Sequence, residues 1–108
     1  MTRVHETHRR INAEIAQEKA VALGRAGERL EAALAHVVTI GRRLDAATDP
    51  AEQARLLGEY ESARARAVHA RVALLIQREA VGFRHHRIVD QEFPEPPRRP
   101  AGWRPPRT

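Results

Sequence analysis

The chain has no cysteine, one lysine (Lys19), one serine (Ser62) and, before residue 94, one proline (Pro50). Each scarcity excludes something. Without cysteine there is no disulfide framework, no thiolate metal site and no cysteine nucleophile. No apolar run approaches the ~18 residues needed to cross a bilayer as a helix. The N-terminus, Met1-Thr-Arg-Val-His-Glu, lacks the apolar stretch of a signal peptide, so the expected location is cytoplasmic. Aromatics are limited to Tyr60, Phe83, Phe93 and Trp103, and three of these four follow Gly82. The length of 108 residues suits one small domain.

What is present is mostly helix-forming. Nineteen residues are alanine, and Ala, Glu, Leu, Arg and Gln make up most of the first eighty positions; all of these propagate helix well. Between about Thr7 and Ala47 small or apolar residues recur at Ile11, Ile15, Ala22, Ala26, Leu30 and Ala33, then at Val37, Ile40 and Leu44. These steps of three and four, with one of seven, form one stripe on an α-helix. The stretch Thr48-Asp49-Pro50-Ala51-Glu52 ends it and starts another. Asp49 can cap free amides, Pro50 fits the first helical position, and Glu52 can reach back to the cap's own N–H. The second helix is expected from Pro50 to Val81, with Gly82 as its stop. Its stripe is Leu57, Tyr60, Ala63, Ala67, Ala70 and Leu74, broadened by Val68, Val72 and Leu75-Ile76.

A two- or three-residue connection between long helices implies antiparallel neighbours. The expected fold is therefore all-α: a long antiparallel helical hairpin occupying residues 1–93, with a short helix within 83–92. Residues 94–108 form a Pro/Arg-rich tail that cannot be helical and is expected to be extended. Alanine offers little area to bury, and apolar burial is worth roughly 25 cal/mol per Å². Two such helices enclose little core, so the hairpin is expected to dimerise into a four-helix bundle or to dock on a larger partner. Gly24, Gly27 and Gly41 lie inside the first helix, consistent either with close packing or with a kink.

The net charge is +5, and eighteen of the nineteen basic residues are arginine. Basic character invites a nucleic-acid reading. Through Asp90, however, fifteen basic residues are interspersed with twelve acidic ones, which is the pattern of a solvated surface. Arg64, Arg71 and Arg78 are seven apart and share one helix face. In a hairpin turning near Thr48, Arg64 would face Glu31 or Glu28, and Arg78 would face Glu18. Interhelical ion pairs that set register are the expected role; a ladder for an anionic ligand is the functional alternative.

The search for chemistry returns little. His5 and His8 are three apart, one short of the spacing that brings two imidazoles of a zinc-protease helix onto one metal. His36 and His69 fall about two turns apart in the hairpin, and no Glu-x-x-His pair occurs. No metal site, cofactor or catalytic residue is predicted. The tail offers Trp103 as an anchor among arginines and prolines, the composition of a short linear binding motif. Phe83, Phe93, Arg98, Arg99, Trp103 and Arg104 are the candidate partner-binding residues.

Two segments, Glu18-Lys-Ala-Val-Ala-Leu-Gly-Arg-Ala-Gly27-Glu-Arg-Leu-Glu-Ala-Ala-Leu34 and Gln77-Arg-Glu-Ala-Val-Gly-Phe-Arg-His-His86, resemble a family of small bacterial helical proteins defined as a domain of unknown function. The likeness would cover roughly residues 10–95. It implies a helical fold and brings no activity; after the proline segment the two diverge. The reading that results is a non-enzymatic interaction or assembly protein, a self-associating hairpin with a partner-binding C-terminal segment. The alternatives are a basic nucleic-acid-associated protein and a small-ligand sensor at a helical dimer interface.

Overall fold

A computed structural model describes residues 3–104. Three helices follow in order: α1 (Arg3–Ala46), α2 (Pro50–Ala80) and α3 (Arg87–Glu92). The two long helices pack against each other as a hairpin, and the described residues form a rod of 73 × 22 × 19 Å. Helix α1 begins at Arg3 rather than near Thr7. Nothing in residues 3–7 breaks a helix, Glu6 favours the positive end of the dipole, and the Thr7 hydroxyl donates to the Arg3 carbonyl at 3.0 Å.

The hairpin turn follows its sequence signals closely. The Asp49 carboxylate accepts from the Glu52 amide at 3.0 Å, and Pro50 opens α2. The Glu52 carboxylate does not complete a reciprocal box. It pairs with Arg55, which also donates to Glu59 at 2.5 Å, because one helical turn brings those side chains together. Gln53 Nε2 donates to the Ala47 carbonyl at 2.8 Å and ties the turn to the helix it follows. At the far end Gly82 adopts φ +102°. Its amide donates to the Glu79 carbonyl, and the Phe83 amide donates to the Arg78 carbonyl, both at 3.0 Å. This pair of bonds is the glycine-terminated helix ending that releases the chain sideways.

The core lies in two clusters along the seam. Near the turn, Val37, Ile40 and Leu44 of α1 meet Leu56, Tyr60 and Ala63 of α2, with Trp103 packed against them. Further along, Ala26 and Leu30 meet Leu74 and, from α3, Val89, with Phe93 at the edge. Leu56 is buried and Leu57 only partly so, one position from the expected stripe. The expected stripe of α1 also runs beyond the core: Ile11 and Ile15 stay 47% and 43% exposed, because α2 ends before it can cover them. Helix α1 passes through Gly24 and Gly27 as one continuous element. A Cβ built at either would meet nothing within 4 Å, so neither marks a close approach within the chain.

Candidate functional site

The feature that organises the molecule is the path of the chain after α2. Residues 83–86 are irregular, α3 makes under two turns, and residues 93–104 run back along the hairpin toward its turn. The order of partners traces this path. Arg78 holds His85 and His86, Arg71 holds Asp90 and Phe93, Arg64 holds Glu95 and Pro96, Tyr60 holds Pro97, and Asp45 holds Arg99.

The reason lies in proline chemistry. Pro94, Pro96, Pro97 and Pro100 have no N–H, so a strap built from them cannot join a hydrogen-bonded ladder. Their carbonyls and those of their neighbours still require donors. Side chains of α2 supply them. Tyr60 Oη donates to the Pro97 carbonyl at 2.6 Å, Arg64 Nε to Pro96 at 2.9 Å, and Arg71 Nε to Phe93 at 3.0 Å. Arginine suits the task because its fork can hold a carbonyl with Nε and a carboxylate with Nη together. Arg71 does so with Phe93 and Asp90, and Arg64 with Pro96 and Glu95, the latter pair at 3.5 Å. Arg78 Nε donates to His86 Nδ1 at 3.3 Å, and its guanidinium lies 4.4 Å from the centre of the Phe83 ring. His86 Nε2 faces Glu79 Oε1 at 3.2 Å; the neutral ring with its proton on Nε2 satisfies both contacts.

The spacing of Arg64, Arg71 and Arg78 therefore does place them on one face, but that face meets the returning chain. The expected pairs of Arg64 with Glu31 or Glu28 and of Arg78 with Glu18 do not form, and all three carboxylates stand on exposed parts of α1. An ion pair does join α1 to α2 at Arg43–Glu59, at 4.0 Å.

The strap ends on Arg99. Its guanidinium is stacked between two rings, 4.4 Å from the centre of Tyr60 and 4.4 Å from that of Trp103. One Nη donates to Asp45 Oδ1 at 3.0 Å and to the Gly41 carbonyl at 3.3 Å. The side chain is only 14% exposed. Two local features make the site. Gly41 leaves room, since a Cβ there would lie 3.1 Å from the guanidinium. A turn then folds Trp103 back: its amide donates to the Pro100 carbonyl at 2.9 Å, with Gly102 at φ +81°, the arrangement that wants glycine at its third position.

Of the six candidate partner-binding residues, Phe93, Arg99 and Trp103 are thus drawn into the body. Phe83, Arg98 and Arg104 remain exposed. Sequence reasoning missed Asp45 and Tyr60, which receive the strap on the hairpin, and Asp90 and Glu95, which the returning chain presents to Arg71 and Arg64. The signal that could have found them is the excess of carbonyl acceptors over N–H donors in the tail, set beside an arginine row with no other task. Between strap and α1 lies a groove of about 440 Å³ lined by Leu34, Val37, Val38, Gly41, Pro94 and Arg99 among others. Among the described residues, no group of three or more His, Asp or Glu side chains could hold a metal ion, and no helix is long and apolar enough to cross a membrane. Compared with protein-family models, curated proteins and solved structures, the chain matches none.

Proposed function

We propose that this is a non-enzymatic assembly protein: a strapped helical hairpin that associates with further copies of itself through apolar faces its own chain leaves uncovered. The observation that carries this reading is the set of large apolar side chains outside both core clusters. Val4, Ile11 and Ile15 on α1 and Val72 and Ile76 on α2 are 43–63% exposed. Apolar residues at helical spacing on an elongated rod are the raw material of an interface. The strap takes part by closing one side of the hairpin, which leaves these other faces for association. Phe83, Arg98 and Arg104 are the C-terminal residues left to contact a larger partner. Membership of the family of small bacterial helical proteins, with a cytoplasmic setting, belongs to the same proposal.

Sedimentation equilibrium across roughly 1–100 μM, a range that brackets micromolar dissociation constants, tests it. The expected result is a mass that rises with concentration above that of one chain. A single-chain mass throughout would overturn the reading.

The nucleic-acid alternative has fewer arginines to draw on, since Arg64, Arg71, Arg78 and Arg99 already hold the strap. The small-ligand alternative gains one observation, the groove between strap and α1. Its expected signature is a melting temperature that rises with an apolar ligand.

A further inference from the structure

We infer that two copies meet through the N-terminal arms of α1, lying antiparallel about a two-fold axis at the level of residue 13. This rests on the self-association proposed above and names where it happens.

Every residue from Arg3 to Val21 is exposed, and the first buried residue of α1 is Ala26. Helix α2 reaches only as far as a shallow cleft between Asn12, Ile15 and Lys19 on one side and Ala80, Val81 and Gly82 on the other. The arm before it is exposed along its whole length, yet it keeps an ordered stripe. Val4, His8, Ile11, Ile15, Glu18 and Ala22 follow in steps of four, three, four, three and four. At 100° per residue all six fall within about 80° of arc, and Val4 and Ala22 stand five turns apart on one line.

That series reads the same in both directions. When a second copy runs antiparallel about residue 13, Ile11 falls opposite Ile15 of the other copy, Val4 opposite Ala22, and His8 opposite Glu18. Each contact occurs twice, as a two-fold interface demands. Charge agrees with this register. Residues 8–10 are His-Arg-Arg, while residues 14–18 carry Glu14 and Glu18 and no basic group; antiparallel pairing sets one segment against the other. There is also room. The stripe's edge away from α2 borders an open groove lined by Glu14, Gln17, Glu18, Val21, Ala22 and Arg25, into which the tip of a second arm would lie.

Sedimentation velocity on the full chain tests this, with two paired variants at exposed positions and far-UV circular dichroism to verify that each stays helical. Ile11→Glu with Ile15→Glu is expected to weaken the dimer more than about tenfold, while Val72→Glu with Ile76→Glu leaves it within about twofold. The absence of native cysteine gives a second readout. Ile11→Cys chains mixed with Ile15→Cys chains should cross-link to each other faster than either does to itself. Association that survives the α1 pair and is lost with the α2 pair would overturn the arm interface while leaving self-association standing. Cross-linking without preference for the mixed pair would overturn the register. A single-chain mass for the unaltered protein would remove both the arm interface and the broader proposal.

Discussion

At the scale of single residues, Arg99 and Gly41 form one device. The guanidinium fills the space that a side chain at residue 41 would occupy, and it is pinned there by two rings and a carboxylate. Cation–π contacts are worth about 0.5–2 kcal/mol each, depending on desolvation. Arg99→Ala should therefore cost about 2 kcal/mol, and Arg99→Lys should recover less than half of it, since an ammonium cannot stack between planes. Urea denaturation of the three proteins measures both. The glycines of α1 give a contrast in sign. Gly24→Ala and Gly27→Ala add a methyl in open space and should each stabilise by about 0.5–1 kcal/mol. At Gly41 the same gain is opposed by a contact at 3.1 Å with a pinned guanidinium, so Gly41→Ala should be neutral or destabilising in the same assay. None of this division was visible in the sequence, where three glycines in one helix look alike. Only the returning strap distinguishes them.

At the scale of elements, the helices were legible because their signals are local. Asp49, Pro50 and Gly82 act through backbone groups within a few residues, and the hairpin starts and stops where they stand. Asp49→Ala should cost about 1 kcal/mol, the usual worth of an N-cap side chain, read as a lower midpoint in thermal melts. Glu52 supplies a pH dependence. Its hydrogen bond to Arg55, with the charge of Arg55 beside it, holds its carboxyl below the ordinary value of 4.5. A carboxyl whose pKa is lowered by folding contributes stability above that ordinary value and loses it as the pH falls through the lowered one. Melting temperatures measured from pH 6 down to pH 3 should drop further for the native chain than for Glu52→Gln. The effect should be small, because the pair is exposed and screened. The short helix α3 lies within the expected 83–92, but where it and the strap dock was not legible, for the opposite reason: their partners lie up to 58 residues away in sequence, as Gly41 does from Arg99. The seven-residue spacing of Arg64, Arg71 and Arg78 is plain in the sequence, but nothing in that spacing shows that the returning chain, and not α1, supplies their partners. Local patterning reports that a face is special and says nothing of what comes to cover it.

At the scale of the whole molecule, shape is the quantity that discriminates. A compact chain of this length would have a radius of gyration near 13 Å, whereas the rod has 20.2 Å. The excess arises because α1, at ~1.5 Å per residue, is about 20 Å longer than α2, and its surplus is the arm from Arg3 onward. A side-by-side four-helix bundle would shelter the α2 faces and keep the maximum dimension close to the 73 Å of one chain. Pairing through the arms shares only the span from Val4 to Ala22, ~27 Å of helix. Two rods of 73 Å joined by that overlap extend to about 120 Å. Small-angle X-ray scattering at concentrations where the dimer dominates should therefore give a pair-distance distribution with a long tail reaching near 120 Å. The same measurement on Ile11→Glu with Ile15→Glu should return to near 73 Å. A dimer that stays near 73 Å would mean that the helices associate along their length. The palindromic stripe would then be a consequence of helical periodicity alone, and Val72 and Ile76 would become the residues to alter next.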